Sequence, residues 1–100
     1  MADSQSKFNI LIVDDREENL ITLEGILESP ELKIIKATSG NEALGIMLEE
    51  EISMVLLDVQ MPDMDGFETA ELMRKNEKTR QIPIIFVTAI SKEREHIFKG

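Results

Sequence analysis

One hundred residues, 42% of them apolar, provide for one packed core and no second domain. Twenty acidic residues against eleven basic ones leave a formal charge of −9; such a field repels nucleic-acid phosphates and suits cations or basic protein surfaces. Cysteine is absent, which excludes disulfides and thiolate metal sites.

The start, Met1 to Lys7, is polar and lacks the apolar stretch of a signal peptide. The longest apolar run, Ile82 to Val87, contains Pro83 and falls far short of the roughly 20 residues a membrane span needs. These features predict a soluble cytoplasmic domain over residues 1–100, with 1–7 flexible.

Asn9 to Val13 is a continuous β-branched run that stops at Asp14-Asp15. Continuous apolarity, rather than alternation, predicts a strand covered on both faces. From Glu17 to Glu28, Leu20, Leu23 and Leu27 recur with helical spacing, with Ile21 and Ile26 alongside. Ser29-Pro30 ends that helix. Lys33 to Ala37 is a short strand carrying Lys33 and Lys36, the pattern of a sheet edge.

Thr38-Ser39-Gly40 offers a hydroxyl cap to a second helix marked by Ala43, Leu44 and Met47, closing in Glu49-Glu50-Glu51. Met54 to Leu57 is a third strand, again apolar and again ending at an aspartate, Asp58. A loop from Gln60 to Gly66 leads to a third helix staked out by Phe67, Ala70 and Met73. Ile84 to Val87 is a fourth strand ending at Thr88-Ala89, and Ser91 could cap a further helix. Strict alternation of strand and helix predicts a parallel sheet with right-handed crossovers.

Three strands of the buried type thus end in Asp14-Asp15, Asp58 and Thr88. In an open parallel sheet, ligands bind beyond the carboxyl ends of the strands. Aspartate after a strand is also common in simple turns, and Asp14-Asp15 alone would read that way. Matching residues at the other strand ends favour a site. Two carboxylates 4 Å apart repel by about 4 kcal/mol at an effective dielectric near 20, a large share of a domain's stability. Either one carboxylate stays protonated or a cation binds. An all-oxygen set selects Mg²⁺, Mn²⁺ or Ca²⁺. A carboxylate beside such an ion is placed to attack phosphorus.

The runs Ile12-Val13-Asp14-Asp15, Leu56-Leu57-Asp58-Val59-Gln60-Met61-Pro62-Asp63-Met64-Asp65-Gly66 and Ile84-Ile85-Phe86-Val87-Thr88-Ala89 closely resemble bacterial two-component response regulator receiver domains. The resemblance extends from Phe8 to Gly100. It implies a flavodoxin-like doubly wound α/β sheet in the order 2-1-3-4. It implies a phosphoacceptor, Asp58, loaded by a sensor histidine kinase or phosphotransfer protein. Asp15 and Asp58 would ligate Mg²⁺ directly, Asp14 would assist through water, and the Gln60 carbonyl would be a further ligand. Mn²⁺ or Ca²⁺ would substitute. Thr88 would bond a phosphoryl oxygen, Ala89 would leave room for it, and Gly66 would let the loop turn into the third helix. Apart from its own phosphorylation and dephosphorylation, such a domain is not an enzyme, and neither nucleic acid nor membrane is a direct partner. The run from Asp14 to Leu20, Asp-Asp-Arg-x-x-Asn-Leu, looks like receivers attached to other signalling domains.

The family pattern continues into a fifth strand, opening with Lys-Pro, and a fifth helix. The 100 residues lack both, and with them the family's lysine and its aromatic switch residue. The expectation is an open edge at the fourth strand, so that the 100 residues pair with a second copy through it, swap elements or are poorly stable. A different class of function, a receiver-like interaction module without phosphotransfer, is separated from a phosphoacceptor by its indifference to Mg²⁺. A small hydrolase of the haloacid type would place an aspartate where Gln60 stands.

Overall fold

The computed structural model describes residues 8–87. Four strands and three helices alternate along it: β1 (Phe8–Val13), α1 (Glu17–Leu27), β2 (Leu32–Ala37), α2 (Gly40–Glu49), β3 (Met54–Asp58), α3 (Gly66–Lys75) and β4 (Ile84–Val87). The strands lie parallel in the order β2-β1-β3-β4, the arrangement expected from the alternating pattern and the resemblance. Thr88, Ala89 and the helix expected after Ser91 lie outside the described residues.

β1 runs between β2 and β3, and its last four residues, Ile10 to Val13, are buried. β2 lies at a sheet edge, as its two lysines suggest, with both exposed. Lys36 Nζ reaches Glu24 Oε1 at 2.7 Å and ties this edge to α1. Among the described residues β4 forms the other edge.

Local chemistry fixes the helix starts. Ser39 caps α2 by accepting the Glu42 N–H at 3.1 Å, while the Glu42 carboxylate accepts the Thr38 N–H at 2.8 Å. Asp65 caps α3 in a reciprocal pair: its side chain accepts the Glu68 N–H at 2.8 Å, and Glu68 accepts the Asp65 N–H at 3.1 Å. α1 has no side-chain cap of this kind.

Each sheet face carries its own core. Leu11, Val13, Val55 and Leu57 pack with Ala43, Met47 and Met73 under α2 and α3. Ile10 and Ile12 pack with Leu20 under α1, joined by half-buried Leu23, Leu27, Ile34 and Leu56. Two expectations change here. Ile21 and Ile26 are exposed, because the buried stripe of α1 is the narrower one through Leu20, Leu23 and Leu27. On α3 the buried side is Gly66, Thr69 and Met73. Phe67 lies outside it and instead meets Phe86 of β4, with ring centroids 5.0 Å apart. Thr69 is a polar residue in that interior because its hydroxyl donates to the Asp65 carbonyl at 2.9 Å.

Candidate functional site

Register brings the aspartates together. Val13 of β1 stands opposite Leu57 of β3, so Asp14 and Asp58 are the next residues on adjacent parallel strands. Asp58 in turn stands opposite Val87, which carries the end of β4 to the same rim of the sheet. Asp14 and Asp58 are nearly fully buried, at 3% and 2% exposure, and Asp15 is half-buried. One carboxylate oxygen from each of the three lies within 4.8 Å of the others. At that spacing two full charges repel by about 3.5 kcal/mol at an effective dielectric near 20.

The three carboxylates are held differently. Asp14 uses both oxygens: Oδ1 accepts the Arg16 N–H at 2.9 Å, and Oδ2 accepts the Asn19 side-chain amide at 3.1 Å. Asp58 Oδ1 accepts the Gln60 N–H at 3.3 Å. Asp15 Oδ1 is buried and makes no hydrogen bond among the described residues. A buried carboxylate oxygen in that condition is costly unless a cation or proton faces it. An all-oxygen donor set with such an oxygen in its midst fits a hard divalent ion.

Arg16 follows the acidic pair directly, yet its guanidinium engages Glu18 at 3.0 Å on the outside of the site. That bond, followed by the charges of Glu18, Asp15 and Asp14, raises the Arg16 pKa, against a smaller opposing effect of desolvation. The same bond holds the Glu18 carboxyl below its ordinary range.

The loop after β3 closes the other side. Asp15, Gln60, Met61, Pro62, Asp65 and Phe67 line an open depression beside the cluster. Asp63 takes the left-handed conformation, φ 64°, which aspartate tolerates better than most residues. Gly66 stands where the expected turn into the third helix is made, and close packing rather than a left-handed backbone requires it. Its φ is not positive; a Cβ there would lie 2.3 Å from the backbone oxygen of Asp58. Its N–H also donates to the Val59 carbonyl at 3.0 Å. The glycine therefore lets α3 begin against the strand end that presents Asp58.

Of the residues expected at the site, Asp14, Asp15 and Asp58 are gathered at one rim, and Gln60 lines its opening. Thr88 and Ala89 fall outside the described residues. Asn19 was not foreseen as part of the site. Its signal is a polar amide in the first turn of α1, directly before the buried Leu20.

A family model for the response regulator receiver domain matches residues 10–99. The chain belongs to that family. Among receiver relatives, the polar-differentiation response regulator DivK of Brucella ovis is 32% identical over 83 residues, which span 83% of this chain and 68% of DivK. The N-terminal domain of a response regulator receiver protein from Methanoculleus marisnigri superposes with a TM-score of 0.77 at 32% identity, covering 89% of this chain and 76% of that one. The response regulator TrrA of Thermotoga maritima, solved in complex with Mg²⁺ and BeF, gives a TM-score of 0.73 at 34% identity, covering 88% and 75%. No helix among the described residues of this receiver is long and apolar enough to cross a membrane.

Proposed function

We propose that this receiver takes a phosphoryl group onto Asp58 from a phosphohistidine of a sensor histidine kinase or phosphotransfer protein. The observation that supports the reading is the convergence of three carboxylate oxygens within 4.8 Å at the ends of two strands. An oxygen of Asp58 attacks phosphorus as the bond to the imidazole nitrogen breaks. The electron pair returns to that nitrogen, and the product is an acyl phosphate on Asp58.

Asp14, Asp15 and Asp58, with the Gln60 carbonyl, would hold Mg²⁺, for which Mn²⁺ or Ca²⁺ would substitute. When bound, the ion neutralises charge on the phosphoryl oxygens. The Gln60 N–H bond to Asp58 Oδ1 fixes the rotation of the acceptor carboxylate. The closely packed Gly66 holds the backbone beneath it. By the family pattern, Thr88 would donate to a phosphoryl oxygen and Ala89 would leave space for it. The phosphorylation is stoichiometric, and the domain acts as a signalling element in the cytoplasm rather than on a metabolite.

The test is labelled phosphate from a small acyl phosphate or a phosphohistidine donor, with Mg²⁺ present. The wild-type chain should take up an alkali-labile label, and Asp58→Asn should reduce it to background. Label that survives Asp58→Asn would move the acceptor elsewhere. A wild-type protein that neither takes label nor responds to Mg²⁺ is an interaction module instead.

A further inference from the structure

We infer that Asn19 is a positioning residue for the acidic site, acting through Asp14 to set how tightly the site takes a divalent cation. The inference rests on the receiver reading above and names a residue that reading does not use. Asn19 stands in the first turn of α1, and its side-chain amide donates to Asp14 Oδ2 at 3.1 Å. The Arg16 N–H holds the other oxygen at 2.9 Å. Asp14 is 3% exposed, so solvent cannot replace either donor. A buried carboxylate that loses one donor pays the desolvation of that oxygen without compensation.

The donors suit the purpose. Both are uncharged, so they orient and stabilise the Asp14 carboxylate without competing electrostatically with a cation as lysine or arginine would. They also divide labour between the neighbouring aspartates. Each oxygen of Asp14 accepts one hydrogen bond, from Arg16 and Asn19, whereas Asp15 Oδ1 is buried with no hydrogen bond among the described residues. The result is a site with one oriented and one receptive carboxylate on the same strand end. Outer partners of this kind orient the groups that face a metal, and their loss costs about 10–100-fold in metal affinity. Because Asn19 belongs to α1, the bond also ties the site to the helix covering one face of the sheet.

Two substitutions that keep the branching of the side chain test this. Asn19→Leu removes the donor, and the half-saturating Mg²⁺ concentration should rise about 10-fold. Asn19→Asp replaces the donor with a carboxylate facing Asp14; the Mg²⁺-free protein should melt lower, and Mg²⁺ should raise its melting temperature by more than it does for wild type. Binding is read by calorimetry with Mg²⁺ alone and by the melting shift at graded Mg²⁺, both independent of phosphorylation. Acyl-phosphate labelling adds a second readout: Asn19→Leu should move its Mg²⁺ dependence to higher concentration by about the same 10-fold factor. A helix-packing role alone would lower both melting temperatures and leave Mg²⁺ affinity at the wild-type value, which overturns the inference. Wild type that binds no Mg²⁺ overturns the receiver reading and this inference with it; wild type that binds Mg²⁺ with both variants unchanged overturns the inference alone.

Discussion

The two faces of the sheet are built to different depths, and the acidic rim is supported by the starts of helices from both. Under α2 and α3 lies the larger core, with fully buried Leu11, Val55, Leu57 and Met73. Under α1 the buried set is Ile10, Ile12 and Leu20, and the surrounding leucines are half-buried. The α3 side fixes Asp58 by covalent neighbours and close backbone contact, through Gly66 and the Asp65 cap. The α1 side fixes Asp14 by two hydrogen bonds, from Arg16 and Asn19. Asp58 is thus held through the backbone at the start of α3, and Asp14 through hydrogen bonds from the start of α1.

Truncating the core on each face breaks the comparison most directly. Leu57→Ala should cost about 2–5 kcal/mol in denaturant unfolding, since the residue is wholly enclosed. Leu23→Ala, half-buried on the inner side of α1, should cost about half as much or less. Equal losses would show that the two faces are equally consolidated.

Gly66→Ala probes the α3 side of the site itself. The added methyl would meet the Asp58 backbone oxygen, and the strand end or helix start must shift, at about 1–3 kcal/mol. Unfolding would measure the cost, and slower labelling at Asp58 would show that the acceptor moved. A variant as stable and as reactive as wild type would mean that this backbone contact does not position the acceptor.

The smallest effect lies on the α1 side. Glu18 is held below the ordinary carboxylate value of 4.5 by its hydrogen bond to Arg16. A depressed folded-state value contributes stability above the unfolded value and loses it as pH falls through the folded one. The difference in melting temperature between wild type and Glu18→Gln should therefore be present at neutral pH and vanish in acid. The pair is solvent-exposed, so the difference should be small and shrink further in high salt. A difference that grew on acidification would have the wrong sign for this pair.

Much of the fold was legible because its signals are local. Val13 and Leu57 each close an apolar run, and each run is a strand with its end within one residue of the place expected. Thr38-Ser39-Gly40 offers a hydroxyl cap in the sequence, and Ser39 is the residue that supplies it. Phe67 was misread because an apolar residue in a helical pattern does not say which face it takes; the ring of Phe86, 19 positions on, decided that. Gly66 was legible as the residue that lets the loop turn into the third helix, but the atom that forbids a side chain there belongs to the end of β3, which only the fold brings against it. Asn19 carried no periodic signal at all.

By itself the sequence determined the alternation of strands and helices, the acidic strand ends and the donor chemistry those ends offer, because each depends on residues adjacent in the chain. Tertiary structure alone decided that Val13 stands opposite Leu57, that Asn19 reaches Asp14, and that Asp14 and Asp15 are treated unequally. Those outcomes depend on parallel register between segments some 44 positions apart. A slip of one residue there would turn every side chain to the opposite face and separate the carboxylates.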